Sequence, residues 1–486
     1  MNAKLKNIKL ENFKSFEGQN VFHVEELTTI IGLNASGKSN IIEALSILSK
    51  VSQDTLITNV LNNTNTTILP VRGGAQGCLR GTKKTFGLGC TVEKEEKELE
   101  YFIKFKVEDS DRVFVEEESL FEIKNREKSL IYKTVKNSKS IADINVEYDN
   151  KKRGKNPRIT MDRSRSILSQ LDKNHIETNS KLDSIYDLIR SADKTGETIN
   201  IDDIDKIANT SKSKNTIFNE IDIVKTVLSS IFVLNVDVNK VRTYIRRDNS
   251  RLNYDAGNLS SVLDSLYANV KRYQRDEKSN SGFPRGRGYA ERLKEKKEQW
   301  DKILDTIGII PEYEIVDLAI TVTPPPYRDV IFTCIEQIEE KRIKIPATSL
   351  SDGTISVIAI TTAVATYPKN SIIVIDEFDN GIHHSKAIEF LEKIQKIAKK
   401  KNVTLVLTTH NTVLLDSLRG KEFGGINIIY RAKETSNSKV ARFIEIPNYE
   451  KIIATGGIGK AVANDGLLSY VEQEESNFDL PDWLKG

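Results

Sequence analysis

One eight-residue motif near the N-terminus constrains this chain more than any other feature. Residues 32–39 read GLNASGKS, which fits the pattern GxxxxGK[ST]. A β-branched run, TTII at 28–31, precedes the motif, and apolar residues follow it at helical spacing: Ile41, Ile42, Leu45 and Leu48. A glycine-rich loop between a strand and a helix surrounds phosphate oxygens with backbone N–H groups, and the helix N-terminus attracts the anion. The sequence therefore predicts a phosphate-binding loop.

The side chains of this motif predict a nucleoside triphosphate, ATP, with Mg²⁺ as the ligand. Lys38 is expected to reach the β- and γ-phosphates, and the Ser39 hydroxyl is expected to ligate Mg²⁺. The other residues expected around the nucleotide belong to the loop and to the first turn of the helix: Asn34, Ala35, Ser36, Gly37 and Asn40.

Two nearly continuous apolar runs later in the chain predict parallel strands that are buried on both faces. The first, SIIVIDE at 371–377, ends in Asp376 and Glu377, and the second, VTLVLTTH at 403–410, ends in His410. Because phosphoryl transfer depends on positioning and charge neutralisation, we expect Asp376 to bind Mg²⁺ through water and Glu377 to orient the attacking water. We expect His410 to contact the γ-phosphate and to sense its loss.

The sequence LSDGT at 350–354 precedes an apolar helix that is predicted to begin near Ile355. Ser351 and Gly353 at a helix start leave backbone N–H groups facing outward, which predicts an anion site. An ordinary capped helix is the alternative interpretation of this motif.

Composition limits the classes of protein to which the chain can belong. The 72 Lys and Arg residues against 69 Asp and Glu residues give a net charge of +3, so any nucleic-acid contact must come from a local basic patch. The three cysteines form no CxxC pair, which excludes a thiolate zinc finger and fits a reducing cytoplasm. The longest uncharged apolar stretch, 355–368, is shorter than the roughly 20 residues that span a bilayer, and the N-terminus has no signal-peptide pattern. We therefore expect a cytoplasmic protein without a membrane partner.

The pattern along the chain predicts α/β ends and a mainly helical middle. We expect an N-terminal lobe at 1–135 with the phosphate loop and a β subdomain, and a helical insertion at 136–312. A C-terminal lobe at 313–446 and an extension at 447–486 complete the prediction. Within the insertion, the polar and basic stretch 138–160 is expected to be a loop.

The order of these motifs resembles the ABC-type ATPase head shared by RecF, SMC, Rad50 and OLD-like proteins. The resemblance covers about residues 1–105 and 310–430 and implies a two-lobed α/β P-loop ATPase head with an inserted, mainly helical arm. It assigns the matching positions as follows: Lys38 and Ser39 to Walker A, Asp376 and Glu377 to Walker B, Ser351 and Gly353 to the signature motif, Asp379 to the D-loop, His410 to the switch histidine and Gln76 to the Q-loop. The signature of that family is more often LSGG than LSDGT.

The short insertion narrows the resemblance further. SMC and Rad50 proteins carry hundreds of residues of coiled coil there, whereas this chain has no sustained heptads. The segment DAGNLSSVL at 255–263 looks like an element of compact AAA-type ATPases in prokaryotic anti-phage systems, such as PARIS (AriA), Septu (PtuA) and abortive-infection systems, and the size suits AriA best. This resemblance implies a homodimer that sandwiches ATP between two heads, or a larger ring, and a separate nuclease or toxin effector that it holds and releases or activates.

Two alternatives remain open from the sequence. A RecF-like, ATP-dependent DNA-binding protein of repair would use basic residues to contact nucleic acid: Arg242, Arg246, Arg247, Arg251, Arg285, Arg287 and Lys294 to Lys297. A transporter ATP-binding subunit is the other alternative, against which the split head argues.

We do not expect nuclease activity in this chain. OLD nucleases carry an Asp-x-Asp motif after the ATPase, and the aspartates after His410 do not form one: Asp416, Asp465, Asp479 and Asp482. His383 and His384 are interpreted as structural. For the acidic C-terminal stretch with Trp483, two interpretations stay open: it docks a partner through the tryptophan, or it is a frayed terminus.

Overall fold

A computed structural model describes most of the 486-residue chain. The described residues are 3–62, 69–109, 112–135, 142–150, 153–171, 217–248, 251–278, 287–309, 314–447, 449–454 and 457–463. The chain divides into two compact units. The first comprises 1–19, 47–64 and 71–229, and the second comprises 20–46, 65–70 and 230–486.

The strands, in chain order, are β1 (Lys4–Glu11), β2 (Gln19–His23), β3 (Leu27–Ile31), β4 (Thr85–Lys94), β5 (Lys97–Asp109), β6 (Arg112–Lys124), β7 (Glu127–Val135), β8 (Asp143–Tyr148), β9 (Arg158–Asp162), β10 (Ile231–Leu234), β11 (Glu314–Val322), β12 (Val330–Ile338), β13 (Lys341–Pro346), β14 (Ile372–Ile375), β15 (Thr404–Thr408), β16 (Ile426–Arg431) and β17 (Ser438–Arg442). The α-helices are α1 (Lys38–Val51), α2 (Ile57–Leu61), α3 (Ile167–Gln170), α4 (Ile217–Ser229), α5 (Val238–Val241), α6 (Leu259–Lys278), α7 (Arg287–Ile307), α8 (Asp352–Thr366), α9 (His384–Lys401), α10 (Thr412–Ser417), α11 (Tyr449–Ala454) and α12 (Ile458–Ala463).

The first unit is built on an antiparallel sheet. Its strands follow the order β1-β4-β5-β6-β7-β8-β9. Along β5 the odd-numbered residues from Leu99 to Val107 are buried, whereas Glu100 and Lys104 on the other face form ion pairs with residues of β1 and β7. This alternation is expected of a sheet that covers a core on one face and meets water on the other.

The second unit is built on a mostly parallel sheet in the order β10-β14-β15-β3-β16-β17. Only β17 runs antiparallel to its neighbour. All residues of β3 and β14 are buried, which agrees with the nearly continuous apolar runs that predicted such strands. Because the carboxyl ends of parallel strands lie at one edge of the sheet, the segments after β3, β14 and β15 meet there. This architecture confirms the predicted α/β fold of a P-loop head.

The second unit also contains a three-stranded antiparallel sheet, β11-β12-β13, and two long helices, α6 and α7. The rings of Tyr267 on α6 and Trp300 on α7 lie 5.4 Å apart, and the Ser260 hydroxyl on α6 accepts a hydrogen bond from the Phe332 N–H of β12. The last strand, β13, leads through a 3₁₀ turn directly into the LSDGT motif. α6 and α7 lie within the predicted helical insertion at 136–312, whose bounds remain a prediction.

The predicted loop at 138–160 is wrong where the structure describes it. β8 and β9 lie within or across that range, pair with each other, and bury alternate residues. The period-two pattern is present in DINVEY and RITMD, but the basic residues of the intervening turn conceal it. The predicted helical insertion at 136–312 is described only in part, because residues 172–216, between α3 and α4, lie outside the described residues.

Candidate nucleotide site

The phosphate loop connects β3 to α1, as the motif predicts. Gly32 is required for a close approach, since a Cβ atom on it would lie 2.1 Å from the carbonyl oxygen of Ile429. Ala35 and Gly37 have φ angles of 62° and 117°, so the backbone turns sharply before the first turn of α1. Lys38 begins the helix, and its Nζ donates hydrogen bonds to the carbonyl oxygens of Gly32 (2.7 Å) and Leu33 (3.0 Å). The lysine is therefore folded back over its own loop.

The charge of Lys38 is balanced by acidic residues at the same edge. Burial lowers the pKa of Lys38 from its usual value, and the nearby carboxylates of Asp376 and Glu377 act in the opposite direction. The structure thus brings together the lysine of the loop and the acidic pair, although Asp376 follows Lys38 by 338 positions in the sequence.

Thr408, which the sequence did not predict as a site residue, holds the acidic pair in position. The Thr408 hydroxyl, at the end of β15, donates to Asp376 Oδ1 (2.6 Å) and accepts from the Glu377 N–H (2.7 Å). The Phe378 N–H donates to the Thr408 carbonyl oxygen (3.0 Å), so the two chain segments are held side by side. One hydroxyl therefore orients the carboxylate of Asp376 and the backbone of Glu377.

Glu377 itself has an unusual backbone conformation, with a φ of 51°. A non-glycine residue in this region is uncommon and costs about 1 kcal/mol or more, so the surrounding contacts must hold it there. Its Oε2 accepts a hydrogen bond from Asn380 Nδ2 at 3.1 Å. Asn380 is a second residue that sequence reasoning missed, although it lies only three positions from Glu377.

His410 follows β15 and reaches the same edge of the sheet. Burial lowers its pKa from the usual value near 6.5, and the positive charge of Lys38 lowers it further, while three nearby carboxylates oppose this shift. The imidazole is therefore mainly neutral at pH 7. The next residue, Asn411, caps α10 by accepting hydrogen bonds from the N–H groups of Val413 and Leu414.

The LSDGT motif forms the N-terminus of α8. Ser351 is exposed and caps the helix by accepting a hydrogen bond from the Thr354 N–H at 3.2 Å. Gly353 packs against the D-loop turn, because a Cβ atom on it would lie 2.1 Å from the carbonyl oxygen of Gly381. The capped helix and the exposed Ser351 hydroxyl agree with both sequence interpretations of this motif.

The remaining residues of the predicted site have different placements. Asn34 and Ala35 lie in the loop, Asn40 lies in the first turn of α1, and Asp379 lies in the turn after Glu377. Gln76 begins a 3₁₀ helix, Gln76–Cys78, in the first unit, and its role at the nucleotide remains a prediction.

Two of the arginines assigned to nucleic-acid contact form ion pairs with acidic residues of the same chain. Arg242 pairs with Asp352 (2.5 Å), and Arg247 pairs with Asp264 (2.8 Å). Arg285 and Trp483 lie outside the described residues. Contact of this basic cluster with nucleic acid remains a prediction.

The oxygen donors at this edge suit Mg²⁺, which binds proteins through one or two carboxylates together with phosphates. Asp376 supplies a carboxylate that Thr408 orients, and Ser39 supplies a hydroxyl in the first turn of α1. Over the part of the chain that the structure describes, no three His, Cys, Asp or Glu side chains are grouped closely enough to hold a metal ion by themselves.

Comparison with protein families gives one match. Residues 27–416 match the family described as "AAA domain, putative AbiEii toxin, Type IV TA system". No curated protein matches the chain.

Solved structures similar to this chain include three heads of SMC proteins. The SmcHead bound to the C-winged helix domain of ScpA is 13% identical, with a TM-score of 0.42, and the match covers 90% of this chain and 97% of that one. The SMC head domain from Thermotoga maritima is 12% identical, with a TM-score of 0.35 and coverage of 90% and 98%. The Smc head domain with an extended coiled coil bound to the C-terminal domain of ScpA, from Pyrococcus furiosus, is 12% identical, with a TM-score of 0.37 and coverage of 90% and 96%.

Among the described residues, none of the helices combines the length and the apolar character that crossing a membrane requires.

Proposed function

Since the chain belongs to the family of AAA domains described with a putative AbiEii toxin and a type IV toxin–antitoxin system, we propose that it is an ATPase whose nucleotide state controls a separate effector. In this proposal two copies sandwich ATP between their heads, as dimers or within a larger ring. Each copy supplies a phosphate loop to one site and an LSDGT motif to the other.

The observation that carries the proposal is the convergence at one sheet edge. The lysine of the phosphate loop, the acidic pair and the histidine come from three parallel strands and influence one another electrostatically. Such a combination of a cradle for phosphate, a fixed cation and oriented carboxylates is what phosphoryl transfer requires.

Each residue of the site would have its own role in binding and hydrolysing ATP. Lys38 leaves the carbonyl oxygens of its own loop and holds the β- and γ-phosphates, while Glu377, oriented by Asn380, positions the attacking water. Asp376 and Ser39 would hold Mg²⁺, which when bound neutralises phosphate charge. His410 would contact the γ-phosphate, whose charge favours protonation of the imidazole.

The proposed partner is a second copy, because the resemblance to ABC-type heads places the signature of one subunit against the γ-phosphate held by the other. The exposed Ser351 at the start of α8 supports this role. The γ-phosphate would then favour the closed pair, and its hydrolysis would release it.

The proposed effector is a separate toxin or nuclease in a bacterial anti-phage defence system. The family description, which names a toxin and a toxin–antitoxin system, supports this context. The three cysteines are unbonded and buried, which supports a reducing, cytoplasmic location.

Nucleotide binding and hydrolysis test the enzymatic part of the proposal. Glu377→Gln should bind ATP, hydrolyse it at least about a hundredfold more slowly than the wild type, and accumulate as an ATP-dependent dimer. Lys38→Ala should lose ATP binding. Lys396→Ala and Glu392→Gln, two exposed positions on α9, are matched controls and should behave as the wild type. A Glu377→Gln protein with the normal rate would refute the assigned role.

The defence part is tested in cells. Bacteria that carry this gene with its neighbouring reading frames should resist phage, and Lys38→Ala should abolish the resistance. The protein should copurify with a neighbour-encoded effector. Strong stimulation of the ATPase by DNA, with salt-sensitive DNA binding and no effector, would instead support the RecF-like alternative.

A further inference from the structure

The signature motif contains a negative charge at an unfavourable place. Asp352 stands between Ser351 and Gly353, the two positions that resemble the phosphate-facing residues of the family, and its side chain is 58% exposed. A carboxylate in the first turn stabilises α8 itself. It also repels an approaching phosphate, because two negative charges a few ångströms apart oppose each other even near a protein surface.

Arg242 neutralises this carboxylate. Its Nη2 atom donates to Asp352 Oδ1 (2.5 Å) and to the carbonyl oxygen of Leu350 (2.8 Å). The arginine therefore contacts the residues on both sides of Ser351. Its side chain is only 28% exposed, so the ion pair is partly shielded from water and salt.

The segment that carries Arg242 is held in place by the DAGN element. Arg242 follows α5, whose first turn is capped by Asp237. Asp255 binds this helix twice, through an ion pair to Lys240 (2.8 Å) and through its carbonyl oxygen, which accepts from the Asp237 N–H (2.9 Å). The side chain of Asn258 holds the segment that leads from Arg242 to Asp255. Its Oδ1 accepts a hydrogen bond from the Asn253 N–H, and its Nδ2 donates one to the Arg251 carbonyl oxygen. Residues 255–258, the DAGN element, thus hold the backbone segment that carries Arg242 in place.

The same segment is anchored beside the acidic pair. β10, which precedes α5, runs parallel to β14, and the Asp376 N–H donates to the carbonyl oxygen of Leu234 (3.0 Å). The segment that carries Arg242 therefore starts at the same edge of the sheet as the candidate nucleotide site.

We propose that Arg242 is a positioning residue for nucleotide-driven pairing: it neutralises Asp352 and holds Leu350 to Asp352, so that the start of α8 accepts the γ-phosphate held by a second copy. This inference rests on the proposed function. It predicts that the effect of removing Arg242 depends on the charge of Asp352, which a purely structural role of the arginine does not predict.

The test is a set of substitutions in full-length Glu377→Gln protein. ATP-dependent dimerisation with Mg·ATP is measured by analytical ultracentrifugation, together with ATP affinity and melting temperature. Arg242→Ala should weaken dimerisation by about tenfold or more and leave the melting temperature and the ATP affinity of the monomer nearly unchanged. Arg242→Lys should be intermediate, because it keeps the charge and loses the planar fork.

The decisive variant is the double substitution. Arg242→Ala with Asp352→Asn should recover most of the lost dimerisation, because no carboxylate then needs to be neutralised. Arg247→Ala, which removes an equal charge from the same loop and breaks the pair with Asp264, is the matched control and should dimerise as the parent does. Asp352→Asn alone should pair at least as well as the parent.

Three outcomes would overturn the inference. Normal dimerisation of Arg242→Ala would show that the arginine is dispensable. An Arg242→Ala defect that Asp352→Asn does not relieve would show that the arginine does not act through this carboxylate. If the Glu377→Gln parent does not dimerise in Mg·ATP, the proposed ATP-sandwiched dimer is refuted, and the inference about Arg242 is refuted with it.

Discussion

Thr408 shows how a single hydroxyl connects two residues of the candidate site. It links the Asp376 carboxylate to the Glu377 backbone, and both contacts are short. Thr408 lies in the run VTLVLTT, where an alternating or continuous apolar pattern predicts only a buried strand. Its partners are about 30 residues away and become neighbours only because β14 and β15 are adjacent and parallel. Sequence spacing alone could not assign this role.

Thr408→Val keeps the shape of the side chain but removes the hydroxyl. The Asp376 carboxylate then loses a donor and the Glu377 N–H loses its acceptor, which costs about 1 to 3 kcal/mol in a buried setting. We expect a lower ATPase rate and a higher Mg²⁺ requirement, measured by titrating Mg²⁺ at fixed ATP. Thr408→Ser should restore both, and a valine variant with the normal Mg²⁺ requirement would contradict the role of this hydroxyl.

His410 predicts a pH dependence of stability. Its pKa in the folded protein lies below the usual value near 6.5, so the unfolded chain binds a proton there that the folded protein does not. The contribution of His410 to the free energy of unfolding is therefore complete above pH 6.5 and decreases as the pH falls below it. His410→Asn should flatten this dependence, measured by urea unfolding between pH 7 and pH 5; an unchanged slope would contradict the shift.

At the scale of elements, buried parallel strands were the easiest to predict. SIIVI and TLVLT are apolar except for a serine or threonine at one or both ends, so their assignment as buried strands depends on no distant contact. β8 and β9 were missed because their polar faces and the basic turn between them resemble a loop. The contact between α5 and the DAGN element could not be predicted from the sequence either, because it depends on how the chain returns to the sheet.

Glu118 on β6 illustrates an element held by one buried carboxylate. It accepts hydrogen bonds from the N–H groups of Ile167 (2.8 Å) and Leu168 (2.7 Å) at the start of α3, and from Tyr132 and Ser166 hydroxyls at 3.0 Å. The side chain is 1% exposed. The carboxylate thus supplies the hydrogen-bond acceptor that the N–H groups of Ile167 and Leu168 would otherwise lack.

Glu118→Ala should destabilise the first unit by about 3 to 5 kcal/mol, because several buried donors lose their acceptor at once. The change is measured as a shift in the urea unfolding transition. Glu127→Ala, at an exposed position on β7, is the matched control and should change stability by less than about 0.5 kcal/mol. Equal stabilities of the two variants would contradict the assigned role of Glu118.

At the scale of the whole molecule, the motifs near both ends of the sequence contribute to one sheet. β3 from the N-terminal part lies between β15 and β16 from the C-terminal part, so the P-loop motif and the acidic pair are brought together by topology rather than by proximity in the chain. The order of motifs was sufficient to predict this arrangement, because it matches the split head of the ABC-type class. The pairing of two copies is a proposal, and it needs a measurement on the assembly.

The most direct test of the central claim is complementation between two inactive proteins. Lys38→Ala removes the phosphate loop lysine, and Ser351→Arg blocks the exposed signature position, so each homodimer should hydrolyse no ATP. A mixed dimer contains one site with both lesions and one site with neither, since each site takes its loop from one copy and its signature from the other. Mixing equal amounts should therefore restore about a quarter of the wild-type ATPase rate. A mixture that is no more active than its separate components would contradict a site shared between two copies.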